Sequence, residues 1–224
     1  MADTARRAAA EALGTALLVA TVVGSGIMAD RLTDDLAVVL LANSLATGAA
    51  LIVLATILGP LSGAHLNPAV SLVFALEGTL PLRVAGIYLA AQFLGGIAGT
   101  TVAHLMFELP PLELATTVRA GWGAFGAEVV ATAGLVLAIL LGLRANPAAV
   151  PALVGLYIGA AYWFTASTSF ANPAVTLARA LTDTFTGIRP ADVSAFILAQ
   201  LLGAAAAVGL VRLLAGRPMG AGHE

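Results

Sequence analysis

Apolar residues run in six long, nearly uncharged stretches, near 8–29, 36–58, 83–107, 122–143, 149–168 and 191–214, with polar clusters between them. A helix needs about 20 apolar residues to cross the hydrocarbon core of a bilayer, so each stretch predicts a spanning helix. Two further apolar stretches fit no span. NPAVSLVFAL (67–76) stops at Glu77-Gly78, and NPAVTLARAL (172–181) is equally short. Each would be about 15 Å long as a helix, half a bilayer. Both are expected to enter as re-entrant half-helices and return on their own side. Irregular backbone survives at that depth only when buried in protein or lining a watery cavity. A cavity therefore follows from the pattern alone.

The first stretch resembles a secretory leader, because Arg6 and Arg7 precede it, but Glu11 interrupts the apolar run and no convincing small-residue cleavage site follows. It is expected to be a retained helix.

The polar positions also repeat. Glu11 opens the first span in AEALGTALLVA and Glu128 the fourth in GAEVVATAGLVLA; Gln92 sits in AAQFLGG of the third and Gln200 in LAQLLGA of the sixth. Each half, roughly 8–107 and 122–214, thus reads as a Glu helix, a second helix, a half-helix and a Gln helix. Three spans per half is an odd number, so the second half must be inverted in the membrane. Inverted repeats place their site near the midplane, where discontinuous helices meet. The fold class expected is all-α membrane protein, one domain over 1–224, with six spanning helices and two half-helices.

Asn67-Pro68-Ala69 and Asn172-Pro173-Ala174 are the two half-helix starts. Asn is a favoured N-cap, Pro at the first helical position sacrifices no hydrogen bond, and Ala lets two tips approach closely. Two N-termini meeting at the midplane bring about half a positive charge each. Such a centre repels cations and protons while the Asn amides offer donors to neutral hydroxylated solutes. A third copy, Asn146-Pro147-Ala148, follows Arg144 and is expected to be a cytoplasmic turn, because Pro151 soon begins a full span.

Composition agrees with this reading and excludes others. The chain is 60% hydrophobic and 10% charged, with mean hydropathy +0.99; soluble domains carry about 25% charged residues. A net charge of -2 offers no basic field for nucleic acid. Cysteine is lacking, and the histidines (His65, His104, His223) are scattered, so no metal site or cofactor is expected. No nucleophile, base and orienting group fall at enzymatic spacing. Arg6, Arg7, Arg83, Arg144, Arg212 and Arg217 fall on one side and Arg31, Arg119 and Arg189 on the other. The richer side is expected to be cytoplasmic, with both termini there, in a bacterial-type inner membrane.

On SGAHLNPAV, ANPAV and the paired Glu11 and Glu128, the sequence resembles the aquaporin (major intrinsic protein) family over essentially its whole length. The resemblance implies a homotetramer with a pore in every protomer. It also implies that Glu11 and Glu128 brace the re-entrant loops by accepting hydrogen bonds from backbone amides, which suits the cost of a carboxylate inside the membrane; a proton relay is the alternative. His65 is expected to line or brace the inner half-pore, and His104 to be packed or interfacial.

One position departs from the family. Its second motif typically continues into an Arg of the outer selectivity filter; here the residue is Val175. The other filter positions implied are Thr47, Ser169 and, from the fifth span, Tyr162 or Ala160, depending on whether Gly155-Leu156 or the distance from Asn172 sets the alignment. This filter is expected to be wide, weakly polar and uncharged. The change resembles bacterial aquaglyceroporin-like channels linked to arsenic resistance, implying small neutral solutes: metalloid acids such as arsenite, polyols, urea and water. Arg179, one helical turn beyond Val175, either reaches the outer vestibule or pairs with Asp183 or the interface. A secondary transporter and a structural junction protein are the readings from other classes. The outer-loop charges, Arg119 among them, look like ordinary solvated chemistry.

Overall fold

The computed structural model describes residues 2–215, so Arg217 and His223 lie outside the described residues. Among the described residues every regular element is helical, in the order α1 (Ala2–Leu32), α2 (Leu36–Ser62), α3 (Pro68–Leu76), α4 (Leu82–Met106), α5 (Trp122–Ala145), a 3-10 turn (Pro147–Ala149), α6 (Val150–Phe164), α7 (Pro173–Arg179) and α8 (Pro190–Ala215). Six of these segments are long and apolar enough to cross a membrane, the fifth counting the 3-10 turn with α6. The two short helices are the expected half-helices. This is a multi-pass membrane protein.

Local chemistry sets the boundaries. Asp35 caps α2, its carboxylate accepting from Ala37 N at 2.8 Å, and Gly63 ends that helix in the left-handed region with φ 90°. Asn67 and Asn172 cap α3 and α7, accepting from Ala69 N at 2.9 Å and Ala174 N at 3.0 Å, with the prolines next in line. The fifth span is shorter than the sequence suggests. It stops at Phe164 rather than near 168, because Thr165 turns extended and the residues after it form the second loop. The third Asn-Pro-Ala is an exposed turn whose Asn146 side chain caps nothing.

The two halves match element for element. α1 packs on α4 as α5 packs on α8, and α2 meets α6 across the middle. The crossings are close because glycine occupies equivalent places. A Cβ on Gly95 would overlap the carbonyl of Ala12, and one on Gly203 that of Val129. Each glycine lies three residues after its Gln, and each carbonyl belongs to the residue after its Glu. Large apolar side chains such as Leu32, Leu45, Leu94 and Leu156 stand exposed on the outside of the bundle, as a hydrocarbon solvent allows.

Candidate solute pore

Glu11 and Glu128 are wholly buried. Glu11 accepts from His65 N at 3.0 Å, Leu66 N at 2.6 Å, Ser62 Oγ at 2.6 Å and Gln92 Nε2 at 2.7 Å. Glu128 repeats this set, from Phe170 N at 2.8 Å, Ala171 N at 2.9 Å, Ser167 Oγ at 2.6 Å and Gln200 Nε2 at 2.7 Å. Each Gln amide also donates inward, to Ser71 Oγ at 2.9 Å and Thr176 Oγ1 at 2.8 Å.

These bonds hold the loops in backbone that non-glycine residues rarely adopt. Ala64 and Leu66 have φ of 47° and 49°, and Ser169 and Ala171 have 50° and 48°. Such conformations cost about 1–3 kcal/mol each and persist only where the surroundings impose them. The buried carboxylates supply that imposition.

The tips then lock across the centre. Asn67 Nδ2 donates to Ala171 O and Asn172 Nδ2 to Leu66 O, both at 2.7 Å. Each amide nitrogen carries a second hydrogen beyond this crosswise bond.

A cavity of about 330 Å³ runs past both tips. Its lining includes Thr47, His65, Asn67, Tyr162, Ser169, Asn172, Val175 and Arg179. Of the two fifth-span candidates, Tyr162 lines it and Ala160 does not; the Tyr162 hydroxyl lies 3.2 Å from Thr47 Oγ1, while Ala160 is exposed on the outer surface. Ser169 Oγ is buried with no partner among the described residues. His65 packs between the rings of Phe74 and Tyr88, and its Nδ1 lies 3.1 Å from Ser71 Oγ. His104 is a packed residue away from the cavity, its nitrogens on Pro110 O and Thr182 Oγ1.

The cavity lining as a whole is not uncharged. Arg179 lines it one turn further along α7, 2% exposed. It does not pair with Asp183, whose carboxylate instead takes the backbone N and hydroxyl of Thr116, each at 2.9 Å. Arg119 likewise departs from the solvated reading: its guanidinium lies over the Phe170 ring and bonds to loop carbonyls.

Some of this was within reach of the sequence. Ser62 and Ser167 each stand five residues before their Asn, and the two Gln residues were repeat markers without an assigned role. Phe170 stands two residues before Asn172 as His65 stands before Asn67, but Arg119 carries no such signal, because only the loop path brings it to that ring.

The comparisons with known proteins agree with the architecture. The family model described as major intrinsic protein matches residues 1–168 and 151–223. The chain is 64% identical over 212 residues to aquaglyceroporin AqpS of Rhizobium meliloti (strain 1021), covering 95% of this chain and 91% of that one. It is 32% identical over 196 residues to aquaporin NIP2-1 of Zea mays, covering 82% of this chain and 64% of that one. The solved structure of the aquaglyceroporin from Plasmodium falciparum superposes with a TM-score of 0.73 at 23% identity, over 94% of this chain and 96% of that chain, and so shares its fold. With its two braced Asn-Pro-Ala tips meeting inside a six-span bundle, the chain belongs to the major intrinsic protein family of membrane channels, and it is not an enzyme.

Proposed function

We propose that this channel passively conducts small neutral solutes through a wide filter at Thr47, Tyr162, Ser169 and Val175. It passes arsenous acid and small polyols as well as water. The observation that carries the reading is Val175 itself, lining the cavity on the first turn of α7 where a guanidinium would otherwise stand. A valine leaves open the space that an Arg would fill and removes a positive barrier at that level. Ser169 Oγ, without a partner among the described residues, and the Thr47–Tyr162 hydroxyl pair offer a trihydroxy solute replacements for its water. The name aquaglyceroporin borne by AqpS supports polyol passage. Undissociated arsenous acid has the same size class and the same donors and acceptors.

The pore works as a homotetramer, one conduit per protomer, with both termini cytoplasmic. The excess of arginines at the inner loop ends supports that orientation.

The test is a swelling assay of reconstituted protein with water, glycerol, urea and arsenite side by side, including Val175→Arg. The substitution is expected to cut arsenite and glycerol flux sharply and water flux less. Pairing it with Arg179→Ala removes the repulsion between two arginines a turn apart. If both variants pass the larger solutes as fast as the parent, Val175 does not set the selectivity and the wide-filter reading fails.

A further inference from the structure

Beyond Val175, α7 ends on Arg179, and the segment that follows folds back over its side chain. Arg179 Nε donates to Thr186 O. The guanidinium carbon lies 3.4 Å from the Phe170 ring centroid, and Nη1 is buried without a partner among the described residues. A second guanidinium reaches the same ring from the loop after α4. Arg119 lies 5.2 Å from that centroid, with Nε on Gly187 O at 2.7 Å and Nη2 on Phe185 O at 3.3 Å.

Neither arginine enters an ion pair among the described residues; the pairs there are Arg189–Asp192 and Arg212–Glu77. The carboxylates in reach of this corner are engaged elsewhere. Glu128 holds the second loop, Asp183 holds Thr116, and Asp192 takes Arg189 and the backbone N of Arg119. A buried cation with no counter-ion is costly unless some other group supplies acceptors. A planar guanidinium with free N–H groups is best satisfied by two oxygens held on one small acid.

The place is built rather than incidental. A run of hydroxyls, Thr182 to Thr184 at 3.0 Å and Thr184 to Thr186 at 3.4 Å, anchored by His104 on Thr182 at 2.7 Å, fixes the segment whose carbonyl holds Arg179. The cation is therefore held at one end of the solute cavity, where it is also part of the lining.

We propose that Arg179, with Phe170 and Arg119 behind it, forms an oxyanion-binding subsite at the outer end of the pore. A small monovalent oxyanion docks on its free N–H groups and competes there with neutral solutes entering from outside. The inference goes beyond the filter at Val175 and rests on the pore reading only for the place of that competition.

The probe is methanesulfonate, which stays ionised at all working pH values. Glycerol-driven swelling of right-side-out vesicles is measured in external sodium methanesulfonate and in equimolar sodium chloride. Swelling by the unaltered protein is expected to slow several-fold in methanesulfonate, with the effect relieved by raising external glycerol. Calorimetric titration of the purified protein is expected to give saturable heat with the same anion. In Arg179→Gln the ratio of the two rates is expected to return to that of protein-free vesicles. Arg179→Lys keeps the charge without the fork and is expected to retain a weaker effect, and Arg119→Gln an intermediate one. Equal rates in the two salts together with no binding heat for the unaltered protein would overturn the proposal even if every variant failed to assemble. So would undiminished inhibition in Arg179→Gln. Glycerol flux in chloride alone tests the channel reading separately.

Discussion

The two re-entrant loops share one scaffold and differ in what they present to the pore. Counting from each Asn, the Ser five residues before, the paired amides on Glu, the Gln and the hydroxyl four residues after are all duplicated. So is a stack. The residue two before Asn lies against the residue seven after it and against an aromatic four residues before the Gln. In the first loop these are His65 against Phe74, with centroids 4.5 Å apart, and against Tyr88 at 5.5 Å. In the second they are Phe170 against Arg179 at 3.4 Å and against Phe196 at 5.0 Å. The bracing therefore tolerates no difference in kind, while the stack accepts an imidazole among rings on one side and a guanidinium on a ring on the other. Position two before and position seven after are where one half-pore is made different from the other.

That comparison breaks first at the braces. Glu11→Gln and Glu128→Gln should each remove charge from hydrogen bonds worth about 1.5–3 kcal/mol apiece. The new NH₂ group would also face amide N–H donors. Both variants should lose assembled protein to a similar degree, read as yield and Tm in detergent. If one variant assembled and conducted like the parent, the two loops would not be held alike.

The helix crossings come next. Gly95→Val and Gly203→Val push a side chain against the Ala12 and Val129 carbonyls. Overpacking of this kind costs about 1–3 kcal/mol, and more where backbone must shift. Both Tm values should fall, and a fall in only one would mean that the two glycines do not do the same work.

A sharper test converts one half into the other. Arg179→Phe places a ring where the first loop has Phe74, giving the outer stack the all-ring character of the inner one. Because it removes a buried cation with no carboxylate partner among the described residues, it should hold or raise Tm. It should also abolish any difference between methanesulfonate and chloride in the swelling assay. A marked loss of Tm would show that Arg179 supports the outer segment rather than serving the pore.

Most of the architecture was legible, because it rests on features that a linear sequence records. Spans appear as uncharged runs, half-helices as runs too short to cross, and symmetry as Glu, Gln and Asn at matching offsets. The end of α6 was not legible: residues 165–168 are no more polar than many helical ones, and only the demands of Glu128 on the loop pull them out of the helix. Tyr162 stood beside Ala160 because two ways of counting disagree by two residues, and the side chain's direction decides between them. The surroundings of Arg179 were hidden for a different reason. Its partners come from the loop after α4, from the residues following α7 and from the second loop, and no spacing rule connects Arg119 to Phe170. Contacts that fall outside the repeat, such as that of Arg119, leave no period to read.

The smallest effect expected is at the third Asn-Pro-Ala, and it tests whether the motif or its setting matters. Asn67 and Asn146 precede the same two residues. Asn67 is buried, caps α3 and donates across the centre to Ala171 O. Asn146 is exposed, and its side chain makes no cap before a three-residue 3-10 turn. Replacing a capping Asn by Ala costs about 1 kcal/mol, before counting the crosswise bond that Asn67 also loses. Replacing an exposed side chain with no such role usually changes stability by less than about 0.5 kcal/mol. Asn67→Ala should therefore lower Tm and disturb flux, while Asn146→Ala should leave both within error. The difference follows from where the chain places each Asn: the same three letters form a pore tip only when a short helix follows them and a buried Glu holds the loop before them. A loss at Asn146→Ala equal to that at Asn67→Ala would show that the motif acts through something other than its place in the bundle.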